Sequence, residues 1–171
     1  MNRENIDFAQ RYFSENFPDS SKPVIGFHPG ASKPGNVWAA EKYAELAFRL
    51  SAKLNPYIFI SEGPADGRYV NEFCSLLENK YKIGTFKRHH GVLMNDAAVI
   101  SRLKIFLTND TGVMHLASGL DVPVVAFFGP TNACEWGPIG ENKFSIQSSS
   151  PNVNDISVDK VFEVCSKILD L

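Results

Sequence analysis

Four residues of types that bind ligands lie close together in one short segment, TNDTGVMHLASGL. They are Asp110, Thr111, Gly112 and His115. Glycine lets the backbone approach a ligand closely, and the first turn of a helix offers free N–H groups and the positive end of the helix dipole. With Asp110 as the N-cap, the residues after it form such a turn. The i, i+4 spacing of Thr111 and His115 predicts that both emerge on the same side of the helix, where an imidazole could donate to a phosphate or sugar oxygen.

Simpler interpretations of these residue types stay open at this point. Helix capping alone selects Asp, Thr and Gly at a helix start, and a single histidine such as His115 is usually a half-buried, hydrogen-bonded residue. Asp66 fits a turn or an N-cap, and Ser32 and Lys33 fit a solvated loop. Trp38 is interpreted as a packing residue.

Short apolar runs alternate with segments of helical periodicity along the chain. The predicted strands are VIGFHPG, YIFIS, KIGTF, KIFLT, PVVAFFG and FSIQS, and helices are predicted over residues 39–54, 65–78, 92–102, 111–120 and within VDKVFEVCSKIL. Strands that are apolar throughout indicate a sheet covered on both faces, and alternation with helices indicates parallel strands. The sequence therefore predicts a three-layer α/β/α Rossmann-like domain over residues 24–171, after a lead-in helix and linker over residues 1–23.

Composition limits the possible function classes. The 171 residues are 44% hydrophobic and 21% charged with a formal net charge of −2, which gives no reason to expect a nucleic-acid partner. Cys74, Cys134 and Cys165 are odd in number and widely spaced, which favours reduced thiols over disulfides. No apolar segment has the length of a membrane span and no secretory signal is recognisable, so we expect a cytoplasmic protein.

Four polar loops follow predicted strands and should meet at one edge of the sheet. They read HPGASKPGN, EGPADGR, NDTGVMH and FGPTNACEWGPIG. In an open parallel sheet, ligands bind beyond the carboxyl ends of the strands, so this convergence favours a phosphorylated ligand. GxGxxG, GxxxxGK[ST], GxSxG and metal-ligand spacings are absent, so neither a cofactor nor a metal is predicted. The segment KRHHG is either a solvated basic loop or a contact to an anionic substrate.

Several motifs together resemble those of the lipopolysaccharide heptosyltransferases, the inverting glycosyltransferases of family 9. The motifs are HPGAS followed by Trp38, GP.D after the second strand, L.NDTGVMHLA, and PVVAFFGPT followed by WGP. The resemblance spans about residues 24–169 and is to the carboxyl-terminal half of a two-domain GT-B enzyme. NDTGVMHLA with FGPT at this distance is the specific part of the signature, whereas HPGAS alone is weak.

The resemblance implies a domain that binds a nucleotide-sugar donor of the ADP-heptose type. The implied donor-binding residues are Ser32, Lys33, Asn36, Asp66, Asp110, Thr111, Gly112, His115, Gly129 and Thr131. The diphosphate would lie over the DTG turn, Asp66 near the nucleoside, and Gly129 and Thr131 in a loop that closes the site. Family members commonly have a lysine two residues before the tryptophan; here Asn36 stands there, with Lys33 and Lys42 as potential substitutes.

The resemblance also implies a reaction and a division of labour. The donor sugar would be transferred with inversion to a lipopolysaccharide core or similar glycan, with the acceptor site and the aspartate general base in an amino-terminal domain that this chain lacks. No catalytic residue is therefore expected in the chain, which alone should be inactive. The full-length protein would be peripheral at the inner face of the bacterial inner membrane.

An alternative hypothesis stays open at this point. The chain could be a stand-alone flavodoxin-like regulatory module that binds a nucleotide or phosphate without transferase activity, with Asp110 as a strand-end acid. Such a module would need additional carboxylates on the first loop, and HPGAS has none.

Overall fold

Six parallel strands form one sheet at the centre of the protein, in a computed structural model that describes residues 1–171. The strands are β1 (Val24–His28), β2 (Tyr57–Ser61), β3 (Phe86–His89), β4 (Ile105–Asn109), β5 (Val124–Phe128) and β6 (Lys143–Gln147). The helices are α1 (Arg3–Asn16), α2 (Ala40–Leu54), α3 (Gly67–Asn79), α4 (Leu93–Ile100), α5 (Gly112–Ser118), α6 (Ala133–Trp136) and α7 (Val158–Leu169). Two 3-10 turns, Pro34–Asn36 and Val153–Asp155, lie in the loops.

The strand order is β3-β2-β1-β4-β5-β6, and every neighbouring pair is parallel. This is the Rossmann order, which confirms the predicted fold class. The flavodoxin-like order is 2-1-3-4-5, so the alternative hypothesis is not supported by the topology. The strand order reverses between β1 and β4: strands β2 and β3 are added on one side of β1, and β4, β5 and β6 on the other. At this switch point Phe27 lies beside Leu107. Ligands in this class bind beyond the carboxyl ends of the strands at that switch point.

The two faces of the sheet are covered by different helices. One core contains Ile25 and Phe27 of β1 together with buried residues of α2, α3 and α7. The second contains Val24 and Phe106 together with buried residues of α1 and α4. Every residue of β1, β4 and β5 is buried, as the continuously apolar runs predicted. No helix of the protein is both long enough and apolar enough to cross a bilayer.

The prediction for the third strand was wrong. KIGTF was predicted, but β3 is FKRH, and Lys82 in the preceding loop has a positive φ of 56°. β3 lies at the edge of the sheet and pairs only with β2, so Lys87 and Arg88 can be exposed. Most of the basic segment KRHHG is therefore strand rather than loop. Apolar periodicity fails here because an edge strand needs no apolar side chains on both faces.

Helix α1 packs against α4 on one face of the sheet. It begins with a capping box between Asn2 and Asn5, and the Asn5 side-chain amide donates to Asn95 Oδ1 at 2.9 Å. Ala9 and Phe17 are buried in the same core as α4. The predicted lead-in helix thus exists, and the division of the chain at residue 24 stays a prediction.

The side chain of Asn109, the last residue of β4, joins three segments that surround the switch point. Its amide donates to the carbonyls of Pro29 at 2.9 Å and Gly30 at 3.1 Å. Its Oδ1 accepts from the backbone N–H of Trp38 at 3.0 Å and lies 3.1 Å from the Tyr43 hydroxyl. Asn109 is fully buried, so each of these bonds replaces one that water would otherwise make. The loop after β1 is therefore fixed to the end of β4.

We expect Asn109→Asp to destabilise the protein by about 3 kcal/mol, because two buried donors become a carboxylate that faces two carbonyl oxygens. Asn2→Asp is the matched control, since Asn and Asp are equally favoured at an exposed N-cap. Urea unfolding of both variants measures the difference. A loss below about 1 kcal/mol for Asn109→Asp would show that the hydrogen bonds of the Asn109 side chain are dispensable for stability.

Candidate functional site

Three of the four polar loops line a pocket of about 250 Å³ at the carboxyl ends of β1, β2 and β4. The lining residues are His28, Ala31, Ser32, Gly63, Pro64, Ala65, Asp66, Thr111, Gly112 and Val113. Of the ten predicted site residues, Ser32, Asp66, Thr111 and Gly112 thus lie in one pocket. A larger pocket of about 700 Å³, at the opposite edge between α1 and the start of β4, contains none of them. The predicted loop convergence is therefore present where the topology requires it.

The start of α5 differs from the prediction. Thr111, not Asp110, is the N-cap, with extended backbone angles, and its side chain makes no capping bond. The Asp110 carboxylate accepts instead from the side-chain amide of Asn36 at 2.9 Å. A buried partner 74 positions away thus takes the carboxylate that local capping would have used. The Thr111 hydroxyl oxygen is itself buried and has no hydrogen-bond partner.

The glycine at the first position of α5 leaves its surroundings open. A Cβ added at Gly112 would meet no atom within 4 Å. The N–H groups of Gly112 and Val113 are free at this helix start, whereas that of Met114 bonds to the Thr111 carbonyl at 3.1 Å. Two free amides therefore border open space, next to the buried and unpartnered hydroxyl of Thr111.

Asn36 joins the first, third and fourth loops. It is buried, and its amide nitrogen lies 3.5 Å from Thr131 Oγ1 in addition to its bond with Asp110. A neutral amide here holds the Asp110 carboxylate without adding a positive charge. The predicted residues Asn36, Asp110 and Thr131 therefore form one cluster beside the pocket.

The two lysines named as substitutes occupy different environments. Lys42 donates to the carbonyl of Ile156 at 2.9 Å and to that of Asn154, so its ammonium group binds the Val153–Asp155 turn. Lys33 is exposed and forms no ion pair. Lys33 is therefore the lysine of the first loop that is free to meet an anion.

The remaining predicted residues are His115 and Gly129. The His115 side chain is exposed in the last turn of α5, and its imidazole makes no hydrogen bond within the chain. A Cβ at Gly129 would lie 2.5 Å from the backbone nitrogen of Val153, so close backbone packing requires glycine there. Gly129 thus holds the fourth loop against the Val153–Asp155 turn. Trp38 is fully buried and donates through Nε1 to the Ile156 carbonyl at 3.0 Å, which confirms its predicted packing role.

Asp66 is the N-cap residue of α3, and its side chain lies at the pocket floor. It precedes α3, yet its side chain makes no capping bond to that helix. Its Oδ2 accepts from the backbone N–H of Gly63 at 2.7 Å and lies 3.4 Å from His28 Nε2. A Cβ at Gly30 would come within 2.1 Å of the carboxylate. The carboxylate is therefore fixed by backbone and by a histidine that the sequence prediction did not include.

His28, the last residue of β1, is the polar pocket residue that sequence reasoning missed. It is buried, and its Nδ1 lies 3.1 Å from the Ser61 carbonyl oxygen. Burial lowers the pKa of His28, and the negative charge of Asp66 opposes that shift. The available signal was its position: His28, like Asn109, is a polar residue that ends a buried apolar strand.

The ionic groups beside the pocket are mostly paired. Arg88 of β3 forms an ion pair with Glu62 and donates hydrogen bonds to its carboxylate, and these bonds hold the pKa of Glu62 below its ordinary value. Arg88 also donates to Asn71 Oδ1 at 2.6 Å. The KRHHG segment thus has one of its cations already neutralised. No group of three His, Cys, Asp or Glu side chains is close enough to hold a metal ion.

Comparison with known proteins gives consistent matches. The sequence matches the model of Glycosyltransferase family 9 (heptosyltransferase) over residues 2–164. It is 34% identical over 116 residues to lipopolysaccharide heptosyltransferase 2 of Salmonella typhimurium, covering 66% of this chain and 33% of that protein. The Escherichia coli counterpart is 36% identical over 117 residues with the same coverage. The chain spans about a third of the length of these curated relatives.

Solved structures match over nearly the whole chain. The E. coli ADP-heptose lipopolysaccharide heptosyltransferase II has a TM-score of 0.83 and 26% identity, covering 99% of this chain and 52% of that one. The family 9 glycosyl transferase of Veillonella parvula has a TM-score of 0.87 and 23% identity, with the same coverage. An E. coli heptosyltransferase solved with ADP has a TM-score of 0.74 and 22% identity, covering 94% and 48%. The last two likenesses concern the fold alone.

We expect Gly30→Ala to destabilise the protein by about 1–3 kcal/mol, because the new methyl group overlaps the Asp66 carboxylate. Gly112→Ala is the matched control: its methyl meets no protein atom, and the fold should be unchanged or slightly stabilised. Thermal unfolding of the two variants checks this. Equal melting temperatures would mean that Asp66 moves aside without cost.

Proposed function

We propose a donor-binding function from the premise that the chain belongs to glycosyltransferase family 9. In this proposal the pocket holds a nucleotide sugar of the ADP-heptose type for an inverting transfer to a lipopolysaccharide core. The relatives' names support the substrate class: the E. coli heptosyltransferase WaaC was solved both with ADP and with ADP-2-deoxy-2-fluoro heptose. The observation that carries the proposal is the open, polar space at the start of α5, bordered by loops from β1 and β2.

The start of α5 has groups suited to a diphosphate. The free N–H groups of Gly112 and Val113 and the unpartnered hydroxyl of Thr111 would all gain partners from phosphate oxygens. Ser32 lines the same pocket from the first loop and can add a hydroxyl. Lys33, exposed and unpaired, supplies positive charge in place of the lysine that Asn36 replaces. These contacts would offset the charge of the ligand.

The remaining residues have secondary roles in this proposal. Asp66, at the pocket floor below Gly30, accepts a hydroxyl of the nucleoside. Asp110 holds Asn36, and through it Thr131, so that the fourth loop closes beside the donor. Gly129 allows that loop to pack closely on the Val153–Asp155 turn. His115, exposed on α5, donates to a phosphate or sugar oxygen.

The chemical contribution of this chain is charge stabilisation. In an inverting transfer, negative charge grows on the departing diphosphate, and preorganised N–H and cationic groups lower the barrier. The acceptor hydroxyl must lose its proton to a general base. We assign that base and the acceptor site to the part of the family's architecture that lies outside this chain. A cytoplasmic donor and a lipid-linked acceptor would bring the full-length protein to the inner face of the inner membrane.

Calorimetry with ADP should give a saturable signal that Gly112→Ala and Thr111→Arg each weaken at least about tenfold, because both fill the space above the helix start. Gly84→Ala is the matched control, since its methyl also meets no atom within 4 Å but lies outside the pocket. UDP should bind more weakly than ADP. Silence toward ADP together with tight FMN binding would contradict the proposal.

The isolated chain should bind donor yet transfer no sugar, because the proposed base lies outside it. The assay is release of ADP from ADP-heptose in the presence of a lipopolysaccharide acceptor, with calorimetry on the same preparation as the control for a folded, binding-competent protein. Turnover above the uncatalysed rate would show that a residue of these 171 acts as the base.

A further inference from the structure

A buried histidine–carboxylate pair lines the floor of the donor pocket, and the function proposed above gives a role to Asp66 but none to His28. His28 and Asp66 are each less than a tenth exposed, and both line the pocket. We propose that His28 is a positioning residue: in its protonated form it fixes the Asp66 carboxylate so that Oδ1 remains for a hydroxyl of the nucleotide sugar. The inference rests on the proposed function, since it assigns a proton-dependent support to the same site.

The surroundings of Asp66 leave one oxygen available. Oδ2 accepts from the Gly63 amide and faces His28 Nε2, whereas no donor of the protein bonds to Oδ1. Added Cβ atoms at Gly30 and Gly63 would lie 2.1 and 2.7 Å from the carboxylate oxygens, so the group is enclosed by backbone on both sides. A carboxylate held in this way has little freedom to reorient. Its unused oxygen can accept a hydroxyl without further ordering of the protein.

The two ring nitrogens of His28 both face acceptors. The Ser61 carbonyl oxygen, 3.1 Å from Nδ1, can only accept, and the Asp66 carboxylate lies 3.4 Å from Nε2. A neutral imidazole has only one N–H, so at one of these two contacts the lone pair of a ring nitrogen would face the lone pair of an oxygen. The imidazolium form satisfies both contacts. Protonation of the ring is therefore what lets His28 hold the Asp66 carboxylate and the Ser61 carbonyl at the same time.

The charged and titratable neighbours set the direction of the pH dependence. Burial lowers the pKa of His28, and the carboxylates of Asp66 and, more weakly, Asp96 oppose this shift. From α2, the Tyr43 hydroxyl contacts the His28 carbonyl at 3.2 Å and stays neutral, since burial raises its pKa. The free protein therefore keeps the ring largely neutral at neutral pH. An anionic ligand would favour proton uptake, and its affinity should rise as the pH falls.

The test uses the whole chain and ADP-ribose, whose diphosphate is esterified at both ends and keeps its charge across the pH range. Calorimetry should show affinity about fivefold higher near pH 5.5 than near pH 8, because the bound state takes up a proton as the pH falls. His28→Gln should remove this slope, because the amide does not titrate. His90→Gln, the matched control for loss of an imidazole outside the pocket, should keep it.

Asp66→Asn is a second variant, which still tests the proposal if His28→Gln fails to fold. It should lower the affinity and remove the slope, and it should lower the His28 titration midpoint followed by NMR of the ring nitrogens. An unchanged slope in the folded His28→Gln variant, or an unchanged midpoint in Asp66→Asn, would overturn this inference and leave the proposed function intact. Failure of the wild-type chain to bind ADP-ribose at any pH would overturn both.

Discussion

The buried amide of Asn109 is the interaction on which the site depends. It satisfies both of its donors and its acceptor oxygen with groups from the loop after β1 and from the entry to α2. Those loops have little regular structure, so the sheet alone does not fix where Gly30 lies. Gly30 in turn encloses the Asp66 carboxylate. The position of the pocket floor is thus set by one side chain at the end of a neighbouring strand, and a change in that amide would move groups that it never touches.

One acidic residue, Asp66, lines the pocket where an anion is proposed to bind, and a second, Asp110, lies beside it; the local hydrogen bonds explain how carboxylates and an anion can occur together. Asp110 accepts from Asn36, and Asp66 accepts from Gly63 and faces His28. Each carboxylate therefore holds a loop in place by accepting a hydrogen bond from it. The groups left without partners are N–H groups, the Thr111 hydroxyl and the exposed Lys33. Repulsion between these carboxylates and a diphosphate is reduced because each is bound to a donor that lies close to it.

Sequence patterns predicted the elements whose position local periodicity determines, and failed for side chains whose hydrogen-bond partners lie far away along the chain. The buried strands β1, β4 and β5 were recognisable because both faces are apolar. β3 was misplaced because an edge strand exposes Lys87 and Arg88. Asp110 was predicted as a cap because its neighbours form a helix start, but Asn36, far away along the chain, takes its carboxylate. His28 was missed for the same reason: its partners, Ser61 and Asp66, come from another strand and its following loop.

The shape of the site is compatible with the proposed division of the reaction between two domains. A pocket made by loops on one sheet edge contacts its ligand from one side, and the residues at its rim, such as Ser32 and Lys33, are exposed. Held by its diphosphate against α5, a donor would keep the opposite face of its sugar open to an incoming hydroxyl. Inversion requires attack from the face opposite the leaving group. In the proposed function, the geometry by which this chain would hold the diphosphate would therefore leave the attacking side open, and the direction of the displacement itself would separate donor binding from proton removal.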